Sequence, residues 1–207
     1  MNGSLRHVMV VLLGCFTLLF VQLNRVQILE AESLKDNPAN TRTVQREFNR
    51  PRGDIVTSDG VVVATSVETP GQRFGRQRTY PEGPLYAHTV GYLSFNLGAD
   101  GAEKVFNTEL TGSTAAQQLA DFTSLLDPDP DGGSITLTLD DKLQNVARDA
   151  LGDRPGSVVA MDANTGAIRA LWSYPAFDPN LLAGNDGSAA NTAYQELLKA
   201  DGNPLRA

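Results

Sequence analysis

The stretch 156-GSVVAMDANTGAIRALWSYPAFDPN-180 decides the fold of this 207-residue chain. Ser157 to Met161 and Ala167 to Leu171 are apolar runs of strand length. Between them, Asp162-Ala163-Asn164-Thr165-Gly166 carries the Asn and Gly that tolerate a positive φ in a tight turn. The spacing predicts two paired antiparallel strands. Val158, Val159, Ala160 and Met161 show no polar alternation, so both faces of the first strand are expected to be covered, as in a sheet between helices. Periodicity alone leaves open any α/β or α+β domain.

Immediately upstream, Ser134 to Leu139 (SITLTL) alternates at strand period. Asp140 is placed to cap a helix over 141–151, with Leu143, Val146, Ala147 and Ala150 on one face and Gly152 at its end. Before that strand, Asp127-Pro128-Asp129-Pro130-Asp131-Gly132 reads as a solvated linker. Its alternating aspartates match the first half of a calcium loop, but the twelfth position is Thr138 where a bidentate Glu is required, and two prolines stiffen it. Downstream of the hairpin, Ala189 to Lys199 is a short helix candidate.

Further towards the N-terminus, Ser58-Asp59-Gly60 is a tight turn between strand candidates at Asp54–Thr57 and Val61–Val67. Gly53 permits a close backbone path just before the first of them. Arg50 and Arg52 are expected to pair with carboxylates or cap chain ends inside the domain, a lipid-headgroup or phosphate contact being the alternative. A helix is expected from about Ala102 to Leu110, closed by Gly112.

Val8 to Leu23 (VMVVLLGCFTLLFVQL) is uncharged and bracketed by Arg6 and Arg25. Roughly 17 uncharged residues make a helix of about 25 Å, a short but workable membrane span. Asn24-Arg25-Val26-Gln27-Ile28 lacks the small residues of a signal-peptidase site, so an uncleaved anchor is expected. Cys15, the only cysteine, sits within the span with apolar residues on both sides, which disfavours lipidation. Val21 to Lys35 is expected to continue the helix until Asn37-Pro38 stops it.

A net charge of −7, with 17 scattered basic residues, argues against a nucleic-acid partner. His7 and His88 are the only histidines, too few for a His-based metal site, and a Ser-His-Asp triad has no partners to draw on. No cofactor is implied.

These elements resemble, in order, those of class B penicillin-binding proteins. The residues 50-RPRGDIV-56 with 58-SDGVVVA-64 resemble the R-G-x-I box that opens their extracytoplasmic part. Arg78-Thr79-Tyr80-Pro81 and Ala87-His88-Thr89-Val90-Gly91-Tyr92 resemble R-x-Y-P and A-H-x-x-G-Y. Gly101-Ala102-Glu103 and Leu110-Thr111-Gly112 resemble G-x-E and L-x-G. The unit SITLTLDDKLQNVA at 134–147 is similar to the opening of the transpeptidase domain, and Ser173, Pro175, Phe177, Asp178, Pro179 and Asn180 fall as S-x-P-x-F-D-P-N. Residues 50–133 leave no room for a long inserted pedestal, which is closest to the compact actinobacterial penicillin-binding protein A type.

The resemblance implies an α+β architecture: an anchor over 1–30, a small β-rich non-catalytic domain of dimerisation type over 31–126, a linker over 127–133, and over 134–207 the first strands and helix of an incomplete transpeptidase domain. It also implies a single-pass membrane protein with its N-terminus cytoplasmic and its bulk outside, and partners among cell-wall synthesis or division proteins. Peptidoglycan stem peptides and β-lactams would be bound only by the complete parent.

The family's nucleophile lies in S-x-x-K, followed by S-x-N and K-T-G. None of the 207 residues forms S-x-x-K or K-T-G, so these motifs are expected beyond Ala207 and no catalytic residue is assigned here. Ser94-Phe95-Asn96 matches S-x-N but precedes the position the nucleophile would hold. The expectation is an inactive fragment whose hairpin, deprived of its sheet, is loosely held beyond Ser157. The alternative is a membrane-anchored interaction module.

Overall fold

A computed structural model describes residues 2–25, 48–112 and 132–206, the side chains from Arg6 onward. The chain divides into two compact units, Met1–Gln45 and Arg46–Ala207. In the first, helix α1 (Asn2–Asn24) contains a stretch, Arg6–Asn24, long and apolar enough to cross a membrane. Its large apolar side chains from Val8 to Leu23 are exposed, the pattern of a helix meant for an apolar surrounding. The expected continuation beyond Arg25 and the linker at 127–131 lie outside the described residues.

The second unit is α+β. Strands β1 (Ile55–Val56), β2 (Val62–Glu68) and β3 (Arg76–Thr79) form an antiparallel meander. A 3₁₀ turn at Gly83–Tyr86 leads to helix α2 (Ala87–Val90) and to a small hairpin of β4 (Leu93–Ser94) and β5 (Gly98–Ala99). The helix expected over 102–110 is two, α3 (Gly101–Val105) and α4 (Asn107–Leu110), with Phe106 non-helical between them. At the break the carbonyl of Glu103, which a continuous helix would offer to residue 107, accepts instead from Arg52 Nη2 at 2.8 Å, across 51 residues of sequence.

Strand β6 (Ile135–Thr136) joins β1 in parallel, giving the sheet order β3-β2-β1-β6. SITLTL was expected to stay a strand for six residues, but its regular pairing is short and the backbone changes partner after Leu139. Leu137 N–H donates to Val56 O and Leu139 O accepts from Ser58, next along from β1, whereas Asp140 N–H donates to Arg169 O. Asp140 then caps helix α5 (Asp141–Leu151) by accepting from Leu143 N, and Gly152 closes it.

The hairpin of β7 (Gly156–Met161) and β8 (Ile168–Tyr174) follows, then helices α6 (Asn180–Ala183) and α7 (Gly187–Lys199). Its turn is held by the Asp162 carboxylate, which accepts from Asn164 N and Thr165 N, while Gly166 alone takes the positive φ there. One hairpin face, with Val158, Ala160, Ala170 and Trp172, enters the main core beside Ile55, Val63, Tyr86, Leu110 and Ala147. A second core gathers Ala87, Tyr92, Phe177 and Leu182.

Two expectations are corrected here. Strand β7 is not covered on both faces, since Val159 and Met161 are 57% and 62% exposed. Nor does α5 bury Leu143 and Val146, which are exposed; its inward residues are Gln144 and Ala147. The true face is set by a polar residue, because the Gln144 amide finds backbone partners that repay its burial.

Candidate functional site

The motif residues of the N-terminal half converge on one buried carboxylate. Glu103, fully buried, receives Arg52 Nε on Oε2 at 2.7 Å and Arg78 Nε on Oε1 at 2.6 Å. Arg52 also donates to Asn107 Oδ1 at 2.7 Å, and Arg78 Nη1 to Gly53 O at 2.9 Å. Thus Arg52 pairs with a carboxylate as expected, while the role of Arg78 went unread in the sequence. The signal was present: Arg78 and Tyr80 are two apart at a strand's end, and so can share a side. The Tyr80 hydroxyl accepts from Leu93 N at 2.8 Å and lies 3.4 Å from Glu103 Oε1. Burial first, and the Glu103 charge second, push its pKa well up.

Two side-chain amides then fasten the hairpin region to this half. Gln144, fully buried on α5, accepts from Leu171 N at 2.8 Å and donates to Leu171 O at 2.6 Å and Leu85 O at 2.8 Å. It occupies the outer edge of β8 as a neighbouring strand would. Thr138 Oγ1 and Asp140 N bond Ile168 O and Arg169 O on that edge. Asn180, last of the S-x-P-x-F-D-P-N residues, accepts from Tyr80 N and donates to Tyr80 O, both at 2.9 Å. Asp178 Oδ1 orients it by accepting from Asn180 N and Nδ2.

The other motif residues pack rather than react. His88 Nε2 meets Pro204 O at 2.8 Å and its ring stands edge-on to Phe177, a structural role. Ser94 is buried in β4, and Asn96 lies against Gly187. Ser157 and Ser173 face each other across the hairpin with their hydroxyls 2.8 Å apart. Tyr86 donates to Asp141 Oδ1 at 2.8 Å, and burial, followed by that bond, raises its pKa. Among the described residues no three or more His, Cys, Asp or Glu gather as a metal cluster.

Residues 52–135 match the family model described as the penicillin binding protein A dimerisation domain. Peptidoglycan D,D-transpeptidase PbpA of Mycolicibacterium smegmatis is 37% identical over 213 residues, covering 99% of this chain and 43% of that protein. The PbpA of Mycobacterium tuberculosis is 35% identical with the same coverage. The structure of penicillin-binding protein A from M. tuberculosis as its imipenem acyl-enzyme complex superposes with a TM-score of 0.70 at 34% identity, over 77% of this chain and 37% of that one. The chain therefore spans less than half the length of these relatives.

Proposed function

Since the chain belongs to the class B penicillin-binding proteins, as the N-terminal part of one of the A type, we propose that the protein containing it cross-links peptidoglycan stem peptides by serine acyl transfer and is acylated by β-lactams. On this reading residues 1–30 are a membrane anchor, 31–126 a non-catalytic module, 127–133 a linker and 134–207 the opening of the transpeptidase domain. The 207 residues supply no acyl acceptor, because S-x-x-K is absent from them. Their task is to hold the first hairpin of the catalytic sheet in place and to bind cell-wall synthesis or division proteins.

One observation supports this most: the outer edge of β8 is closed by Thr138, Asp140 and Gln144, while β7, which pairs with β8 alone among the described residues, keeps Val159 and Met161 exposed. A sheet prepared to grow from β7 alone is what an opening catalytic hairpin requires. The same exposure weighs against a self-sufficient interaction module.

On the same reading α1 is the anchor, a role its 19-residue apolar stretch Arg6–Asn24 supports, and the bulk lies outside the cytoplasm. Two measurements test the reading together. Protease added to spheroplasts should digest the residues beyond the anchor, and membranes carrying the product of the intact locus should show a band acylated by a fluorescent penicillin. Protection of the bulk from protease would overturn the topology; absence of the band would overturn the acyl-transfer assignment.

A further inference from the structure

Four guanidinium-bearing residues, Arg50, Arg52, Arg76 and Arg78, wall a small cavity together with Ser66 and Gln77. It has about 10 Å³ of free space, room for one water-sized group. Arg52, Ser66 and Arg76 are also walls of a larger polar groove of about 310 Å³, in which Asp54 is the one carboxylate among the described lining residues. Among the described residues no carboxylate lines the small cavity.

The charges around it do not balance. Glu103 is the single carboxylate bonded to the buried pair Arg52 and Arg78 among the described residues, which leaves one positive charge in excess. Arg78 is 2% exposed and its Nη2 has no partner. Among the described residues Arg76 is tied to Glu68 alone, a pair whose side chains are 27% and 71% exposed, and exposed Arg50 has no carboxylate partner. Buried cationic donors without an acceptor are costly, and an oxyanion relieves that cost through charge-assisted bonds.

We propose that this place binds a phosphate group, held by Arg52, Ser66 and Arg76, which wall both the small cavity and the groove. The donors present, four guanidiniums with a hydroxyl and an amide, exceed what one carboxylate accepts and suit the larger oxygen set of a phosphate. The phosphate has two possible sources, the free ion and a lipid headgroup. This site does not depend on the acyl-transfer reading.

The test uses the full chain in detergent, titrated with inorganic phosphate at constant ionic strength and followed by calorimetry. Saturable binding is expected, weakened about tenfold or more in the double variant Arg50→Gln/Arg76→Gln. Both residues are at the surface, and the variant should keep the parent melting temperature in chloride. In parallel, hydrogen exchange of 62–79 is compared for the chain in phosphatidylcholine vesicles with and without phosphatidylglycerol. Slowing by phosphatidylglycerol that the double variant loses assigns a lipid source; phosphate binding without it assigns the free ion. The proposal is overturned if neither arm responds, or if the double variant responds as the parent does.

Discussion

Asn180 clasps both backbone groups of Tyr80, its side-chain amide accepting from N–H and donating to C=O at 2.9 Å each, across 100 residues of sequence. The clasp joins the tail of the hairpin to the end of β3, just where Tyr80 reaches towards the buried ion cluster. Replacing Asn180 by Ala leaves the Tyr80 N–H without its partner, while Tyr80 O keeps the Gly83 N–H at 3.1 Å, at a cost of about 1–3 kcal/mol. Chemical denaturation should show a lower midpoint, with fluorescence and far-ultraviolet dichroism still changing together, because residues 46–207 form one compact unit. Separate transitions for the two probes would contradict that cooperativity.

Glu103 holds two arginines at once. Glu103→Ala strands both cations in the interior and should destabilise by about 3–5 kcal/mol. Glu103→Gln retains the shape and one acceptor and should cost less. Urea midpoints of the two variants against the parent check the order; equal midpoints would mean that charge is not what Glu103 contributes.

Gly53 is required for close approach. A Cβ built there would collide with the carbonyl group of Gly133, backbone that cannot swing aside as a side chain can. Its N–H donates to Leu110 O at 2.9 Å, so local movement would also loosen the end of α4. Gly53→Ala should lower stability by about 1–3 kcal/mol, read as a fall in thermal midpoint. A neutral outcome would show that the Gly132-Gly133 backbone yields.

Alkaline pH should destabilise the second unit through Tyr80. Its folded pKa is raised above the ordinary value near 10, so folded and unfolded states bind the proton equally below about pH 10, and there the stability is fully present. Above about pH 10 the unfolded state loses the proton first, and stability falls until the folded pKa is passed. Denaturation midpoints between pH 8 and 11 should decline more steeply in the parent than in Tyr80→Phe. Parallel profiles would remove Tyr80 from the titration.

Much of this architecture is legible in the sequence because the decisive elements are local. The hairpin turn at Asp162–Gly166, the Asp140 cap with its Gly152 stop, and the apolar run of α1 each follow from neighbouring residues. What escapes is long-range. Gln144 points inward because Leu85 and Leu171 offer backbone groups that no helical periodicity reveals, and Leu143 and Val146 are left outside as a result. The helix over 102–110 breaks because Arg52, some fifty residues earlier, takes a carbonyl. The hairpin buries Ala170 and Trp172 in the core shared with Ile55 and Leu110, a packing that the periodicity of the two strands does not reveal, and leaves bare the face bearing Val159 and Met161.

The most direct measurement is the intact mass of the purified 207-residue chain after prolonged incubation with penicillin G. If these residues are scaffold for an acyl-transfer centre and hold no acyl acceptor, the mass stays that of the unmodified polypeptide. A stoichiometric gain of one penicilloyl group, stable to denaturation, would contradict that claim.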